Sequence, residues 1–106
     1  MRLPKRVKIV DVGPRDGLQN EPKAVPTAAK IAFIEKLADA GVPSVEAGAF
    51  VSPKWVPQMA DTAEVMAGLK RKPGVSYPVL VPNMKGLEAA LAANVDEVAE
   101  IGRAHI

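Results

Sequence analysis

The sequence contains no cysteine among its 106 residues. Within these residues there can therefore be no disulfide bridge, no thiolate metal site and no cysteine nucleophile. Aromatic residues are also few, at 4%, whereas 48% of the residues are hydrophobic and 25% are charged. Because this balance is typical of a soluble globular protein, we expect at most one domain over residues 1–106.

The sequence has neither a strong excess of charge nor a long hydrophobic run. The formal net charge is +2, and the basic residues are spread along the chain apart from a short run at residues 70–72. We therefore expect no nucleic-acid partner, which would need a broad basic surface. No stretch of about 18 apolar residues offers a membrane span, so we expect no membrane partner either. Because the basic start of the chain leads into no long apolar segment, we expect a cytoplasmic protein.

Short β-branched runs alternate with segments of helical periodicity. Strands are predicted at residues 7–12, 44–47 and 77–81, and from Glu97 onwards. Helices are predicted after Pro26, after Asp61 and around Leu87, with ends near Gly41, Lys72 and Asn94. Residues 15–25 have no sustained apolar period and are predicted to form a long loop. The alternation predicts parallel βαβ units, and right-handed crossovers fit either a closed barrel or a doubly wound sheet.

Polar residues stand where the predicted helices begin. Thr27 is the expected N-cap of the first helix, and Asp61 with Glu64 has the spacing of a capping box for the second. Asn83 follows the third predicted strand, where it either caps the next helix or faces a site, and capping is the favoured interpretation. The single histidine, His105, has no nearby ligand partner, so we expect no metal role for it.

The strongest candidate site follows the first predicted strand, where Arg15 and Asp16 stand in the run VGPRDGLQNE. Barrels and open α/β sheets bind ligands at the carboxyl ends of their parallel strands. A carboxylate such as Asp16 suits Mg²⁺ or Mn²⁺, and the fork of Arg15 can hold a carboxylate or a developing oxyanion. A surface ion pair between the two residues accounts for them equally well, so both interpretations stay open.

Glu46 and the segment after it form the second candidate region. An acidic residue in a small, apolar strand is costly to bury without a partner, so Glu46 either lines a barrel mouth near Arg15 or faces solvent at an edge. The first interpretation is favoured. The loop at residues 50–59 contains Trp55 and other large apolar side chains. It either covers a site and contacts an acyl group, or packs over the rim of its own barrel, which is the commoner arrangement.

Three segments, VGPRDGLQNE, EAGAFVSPKWVPQM and YPVLVPNMKGLEAA, follow one another here as in 3-hydroxy-3-methylglutaryl-CoA lyases, which this sequence resembles over essentially residues 7–99. The RDG turn is shared by a wider group of metal-dependent barrel enzymes. Residues 18–21 and the SPKWVPQM loop favour the lyases over a related synthase or carboxyltransferase. The resemblance implies an α/β fold with the N-terminal βα units of a (β/α)8 TIM barrel: three units and the start of a fourth strand.

The resemblance also implies an activity and roles for four residues. The implied reaction is the cleavage of 3-hydroxy-3-methylglutaryl-CoA to acetyl-CoA and acetoacetate with a divalent cation, Mg²⁺ or Mn²⁺. Asp16 matches the family's metal-ligand aspartate, and Arg15 matches the arginine that meets the thioester carbonyl, where charge accumulates as the enolate forms. Glu46 matches an acidic residue near the metal, so Arg15 and Glu46 are the expected catalytic residues. Gln19 shares the turn and is expected, with Arg15, to bind the acyl-CoA substrate.

Two departures from the family pattern limit the expected activity. The family's other metal ligands, two histidines in an HxH arrangement and an asparagine, belong to later strands, as does its mobile-loop cysteine. Residues 100–106 also depart from the apolar run of the family's fourth strand. We therefore expect an incomplete barrel that is inactive alone and self-associates or aggregates through exposed sheet edges. The alternative is a non-catalytic binding or assembly module that complements another chain.

Overall fold

The computed structural model describes residues 9–20 and 22–100. Within them, short strands alternate with helices, which confirms the predicted order. The strands are β1 (Val10–Asp11), β2 (Ser44–Val45), β3 (Gly48–Ala49), β4 (Val79–Val81) and β5 (Val98–Glu100). The helices are α1 (Thr27–Asp39), α2 (Thr62–Gly68) and α3 (Met84–Ala92), with a π-helical turn at Gly13–Gly17 and a 3₁₀ turn at Pro57–Met59. Residues 7 and 8 of the first predicted strand, and His105, lie outside the described residues.

All strand pairs in the described part of the chain are parallel. β1 pairs with β2, and β3, β4 and β5 pair in that order. The Glu46 amide donates to the Asp11 carbonyl and the Ala47 amide donates to the Pro78 carbonyl, each at 2.9 Å, so residues 44–49 join both groups of strands. The strands therefore follow one another in space as they do along the chain, which is the arrangement of successive βα units in a barrel.

The segment that contains β2 and β3 has one residue more than the stretch of chain ending in β4 with which it pairs. The Ala47 amide donates to Pro78 and the Phe50 amide donates to Leu80, so three steps along one strand face two along the other. This mismatch is a β-bulge, and it falls at residues 47–48, which together face Val79. The strand thus reaches Ala49, two residues beyond its predicted end.

Thr62, the first residue of α2, packs directly on this bulge. Its hydroxyl accepts a hydrogen bond from the Ala49 amide at 3.3 Å and lies 2.8 Å from the Met59 carbonyl oxygen. A Cβ on Gly48 would lie 2.7 Å from the same hydroxyl oxygen. Glycine is therefore required for the helix to approach the strand this closely.

The core divides into two apolar clusters on opposite faces of the sheet. Val79 and Val81 belong to the first cluster and Leu80 to the second, because successive strand residues point to opposite sides. The helices contribute their buried residues to the first cluster, which confirms the predicted apolar faces of α1 and α2. It includes Ile34, Ala38, Val65, Met66 and Ala90. The second comprises Ala49, Met59 and Leu80, with Leu18, Val51, Val56 and Ala99 packed against them.

Helix α2 ends at Gly68, four residues before its predicted end. The basic residues after it make tertiary contacts instead of a helical turn. The Lys70 amide donates to a carboxylate oxygen of Glu35 at 3.0 Å, and Arg71 donates to the Asn94 carbonyl at 2.6 Å. The basic run therefore ties α2 to α1 and to the end of α3.

Three further local predictions differ from the structure. Residues 15–19 of the predicted loop are helical, as part of a helical segment that covers residues 13–19. Thr27 lies inside α1, with Pro26 at the N-cap, and the Asp61 side chain does not cap α2. Leu91, an apolar residue of α3, is 64% exposed. In the described residues, no helix is long and apolar enough to cross a membrane.

Candidate functional site

The turn at Gly13–Gly17 stands at the carboxyl end of β1. The amides of Arg15, Asp16 and Gly17 all point at the Val12 carbonyl, at 3.2, 2.6 and 3.3 Å. This convergence explains why a polar segment without apolar period is helical: one acceptor satisfies several donors in a single π-helical turn. Short π-helical segments are frequent at functional sites.

The turn begins at a glycine that is closely packed on two sides. The Gly13 amide donates to Oδ1 of Asp11 at 2.8 Å. A Cβ at Gly13 would lie 3.0 Å from that oxygen and 3.2 Å from the Phe33 ring. The turn is therefore held tightly against the end of β1 and the side of α1.

Arg15 and Glu46 form an ion pair at the carboxyl ends of β1 and β2. Nε of Arg15 lies 2.5 Å from Oε1 of Glu46. The Glu46 side chain is only 8% exposed and that of Arg15 is 17% exposed. Such a buried pair is strongly oriented, because either charge would be costly to leave alone in this environment. The structure thus places Glu46 beside Arg15, the first of the two positions considered for it, although its catalytic role stays a prediction.

Asp16 lies on the solvent side of the same arginine. Its Oδ1 is 3.3 Å from Nη1 of Arg15, and its side chain is 56% exposed. Nδ2 of Asn20 donates to the Asp16 carbonyl at 2.9 Å, which fixes the backbone there. Arg15 therefore contacts two carboxylates, one buried and one open. The surface ion pair between Arg15 and Asp16, one of the two interpretations of the sequence, is therefore present. It involves only one of the two oxygens of the Asp16 carboxylate.

Gln19 follows this turn and is partly buried. Asn83 is the N-cap of α3: its side-chain oxygen accepts from the Gly86 amide at 2.8 Å, so the favoured capping interpretation is confirmed. No group of three or more histidine, cysteine, aspartate or glutamate side chains in residues 9–20 and 22–100 is arranged to hold a metal ion.

The 50–61 loop (residues 50–61) combines a packed base with an exposed tip. Val51, Val56 and Met59 pack in the second apolar cluster, whereas Trp55 is 80% exposed. A cavity of about 360 Å³ lies between this loop and the start of α3. Its lining includes Phe50, Pro53, Met59 and Asn83. The base of the loop therefore packs over the rim of its own barrel, as the commoner interpretation predicted. The tip of the loop projects into solvent.

A buried lysine holds the end of this loop. Lys30 of α1 is 4% exposed and its Nζ lies 2.5 Å from Oδ1 of Asp61. Burial raises the pKa of Asp61, but hydrogen bonds from Lys30 and Thr27 and the Lys30 charge outweigh it, so this pKa lies below its ordinary 3.8. The sequence carries a signal for this pair. Lys30 continues the buried stripe of Ile34 and Ala38 at helical spacing, so a lysine on that face requires a buried partner.

Known proteins resemble this chain closely. The mitochondrial hydroxymethylglutaryl-CoA lyase of Bos taurus is 64% identical over 102 residues, which are 96% of this chain and 31% of that protein. The lyase structure from Brucella melitensis superposes with a TM-score of 0.86 at 61% identity, over 92% of this chain and 34% of that one. A lyase from Acinetobacter baumannii, solved with coenzyme A and 3-methylmalate, gives 0.85 at 44% identity, over 88% and 30%.

The chain spans about a third of the length of the curated relatives it matches. Together with the parallel strands in chain order, the superpositions assign it the α/β fold of the N-terminal βα units of a TIM barrel. The HMGL-like family pattern matches residues 6–104. That match covers nearly the whole sequence, including the turn with Arg15 and Asp16 and the strand with Glu46, and the chain therefore belongs to the HMGL-like family.

Proposed function

We propose that this chain supplies the N-terminal third of a hydroxymethylglutaryl-CoA lyase, which cleaves 3-hydroxy-3-methylglutaryl-CoA to acetyl-CoA and acetoacetate. The observation that carries the proposal is the buried ion pair of Arg15 with Glu46 beside an exposed Asp16, at the carboxyl ends of adjacent parallel strands. That end of a barrel is where its active site is built. Relatives about 60% identical over nearly the whole chain are named for this reaction.

Arg15 has the chemistry to stabilise the charge that develops on the substrate. Cleavage of the carbon–carbon bond leaves an enolate whose negative charge falls on the thioester oxygen. The Arg15 guanidinium uses Nε for Glu46 and Nη1 for Asp16, which leaves further N–H groups to donate to that oxygen. Glu46 is nearly buried, and its proposed role is to hold the guanidinium in one orientation before the substrate arrives.

The residues present fit a divalent cation in part. The exposed Asp16 carboxylate is a hard oxygen ligand of the kind that Mg²⁺ and Mn²⁺ prefer, and we propose one of these ions as cofactor. When bound, the ion would supply electrostatic polarisation of the substrate oxygens. One carboxylate does not define a coordination geometry, so the other ligands would come from strands outside these residues. We accordingly propose that the 106-residue polypeptide is inactive alone.

The test is to complete the barrel. The protein to be tested is a chimera in which residues 6–100 replace the matching segment of the Brucella melitensis lyase, which is 61% identical. We call this chimera the completed barrel. We expect metal-dependent release of acetoacetate from 3-hydroxy-3-methylglutaryl-CoA by the completed barrel and none by the 106-residue polypeptide. A folded completed barrel that binds substrate but releases no acetoacetate would contradict the proposed function.

Exposed apolar residues on the edge strands favour a second candidate, the non-catalytic assembly module. Val10 of β1 and Val98 of β5 are 45% and 40% exposed. Neither outer strand has a second neighbour among the described residues. Such edges pair readily with another chain. If the 106-residue polypeptide formed a stable, defined oligomer while the completed barrel stayed inactive, this candidate would replace the lyase.

A further inference from the structure

A lysine on α1 is connected, through the 50–61 loop, to the candidate site. The Lys30 ammonium donates to the Gln58 carbonyl and to Oδ1 of Asp61. One turn earlier on the same helix, the Thr27 hydroxyl donates to the other carboxylate oxygen of Asp61 at 2.5 Å. Two residues of α1 thus hold two positions at the end of the loop. The contacts are directional and specify where the backbone of that loop end lies.

The same end of the loop shares an apolar cluster with the residue that follows the candidate site. Met59 stands between Gln58 and Asp61 and is 3% exposed. It belongs to the second apolar cluster, against which Leu18 packs. Leu18 comes directly after the π-helical turn, and its amide donates to the carbonyls of Gly13 and Arg15. Lys30 and the turn are therefore linked through the end of the loop and the second apolar cluster, in which Met59 and Leu18 both take part.

Net stability is a poor explanation for this buried charge. Well-packed apolar residues often match or exceed a buried ion pair in stability, whereas the pair selects one arrangement over its alternatives. Lys30 lies in a buried stripe with Ile34 and Ala38, at a helical spacing that usually holds apolar side chains. A role in fixing geometry accounts for the lysine better than a role in stability does.

We propose that Lys30 is a positioning residue for the site: through Asp61 and Gln58 it seats Met59 in the apolar cluster against which Leu18 packs, and so fixes the turn that carries Arg15 and Asp16. Loss of its charge leaves the helix and both apolar clusters in place but loosens the loop end. The turn then samples other orientations, and Arg15 is aimed correctly for a smaller fraction of the time. The kinetic part of this inference rests on the proposed function, whereas the physical coupling of loop and turn does not.

The coupling is tested by hydrogen exchange in Lys30→Met, which keeps the length of the side chain and removes its charge. Both the 106-residue polypeptide and the completed barrel are compared with their parents by mass spectrometry. We expect peptides covering residues 50–61 and 13–20 to exchange faster by on the order of tenfold. The matched control is Lys36→Met, an exposed lysine on the same helix, which should change neither peptide. Faster exchange in the loop alone, or in neither peptide, would overturn the proposal.

The positioning role is tested by kinetics in the completed barrel. Lys30→Met should lower kcat by on the order of tenfold with little change in KM, because the turn acts on the developing charge rather than on ground-state binding. Lys30→Arg, which keeps the charge, should recover part of kcat. Lys30→Gln removes the charge but keeps a hydrogen-bond donor near Asp61 and Gln58, and it provides a second variant if Lys30→Met fails to fold. Unchanged kcat in folded variants would overturn the role.

The two proposals fail in different ways. A parent completed barrel that is folded but inactive contradicts the lyase function and leaves the exchange result to decide the coupling. An active completed barrel in which Lys30→Met alters neither exchange of residues 13–20 nor kcat contradicts the coupling and leaves the lyase function standing.

Discussion

Arg15 is held by one buried and one exposed carboxylate, which makes its contribution to catalysis testable at a single residue. In the completed barrel, Arg15→Gln removes the positive charge that would face the enolate oxygen. We expect the activation free energy to rise by about 3 kcal/mol, which is typical of a lost oxyanion donor. This rise should appear mainly as a lower kcat, with a smaller rise in KM. Steady-state kinetics with 3-hydroxy-3-methylglutaryl-CoA measures both. An effect on KM alone would restrict Arg15 to ground-state binding.

Asp16 is the second residue whose role can be isolated, because its carboxylate is exposed and its substitution disturbs no core. Asp16→Asn in the completed barrel should weaken Mn²⁺ binding by at least about tenfold, since even partners outside the first coordination sphere cost 10–100-fold. Cleavage should be nearly abolished while the circular dichroism spectrum stays unchanged. Calorimetric titration with Mn²⁺ measures the affinity, and an unchanged affinity would exclude Asp16 as a ligand.

At the scale of elements, the contact between α1 and the 50–61 loop depends on the ionisation of Asp61. The folded-state pKa of Asp61 lies below its ordinary value of 3.8, because hydrogen bonds and charge from Lys30 and Thr27 outweigh the effect of burial. A depressed pKa adds stability that is present above the unfolded value and is lost as pH falls through the folded one. The contact should therefore persist at neutral pH and fail only in acid.

Comparison of Asp61→Asn with its parent tests this dependence. In the completed barrel we expect Asp61→Asn to melt at a lower temperature than its parent at neutral pH, with the difference in melting temperature closing as the pH falls below 3.8. Circular dichroism melts across this range measure the gap. Asp39→Asn, which changes an exposed aspartate at the end of α1, is the matched control and should show a smaller gap. A gap that is constant or widens in acid would contradict the assignment.

Prediction from sequence succeeded for elements whose signals are local. The stripe of Ile34 and Ala38 is buried in α1, β5 begins at Val98 close to the expected Glu97, and Asn83 caps α3. It failed where a residue's partner is distant. Asp61 had the spacing of a capping box, yet its carboxylate bonds to Lys30, 31 positions away, because an ion pair with a buried lysine outweighs a local cap.

The molecule as a whole has open sheet edges in the part that the structure describes. Ile9 and Val10 at one edge are 60% and 45% exposed, and Val98 at the other is 40% exposed. Parallel sheets are normally covered on both faces, so we expect the 106-residue polypeptide to self-associate. Sedimentation velocity over a range of concentrations measures the association. A compact monomer at all concentrations would contradict this prediction.

A charge placed on the edge separates edge pairing from general stickiness. Val98→Lys should reduce self-association, because lysine on an edge strand opposes pairing with another chain. Leu91→Lys on α3, where the leucine is 64% exposed away from the strands, is the matched control and should have little effect. If both substitutions reduced self-association equally, the cause would be a general gain in solubility from the added charge rather than loss of pairing at β5.

The sequence by itself determined the alternation of strands and helices, the apolar faces of α1 and α2, and the family, because those signals lie in neighbouring residues or in short runs. It also placed Arg15, Asp16 and Glu46 among the candidates. Only the tertiary structure decided that Glu46 is buried against Arg15, and that α1 holds the 50–61 loop through Lys30. The physical reason is distance along the chain: each of these ion pairs joins residues 31 positions apart. Strand pairing and helix packing bring such residues together, and no local periodicity records it.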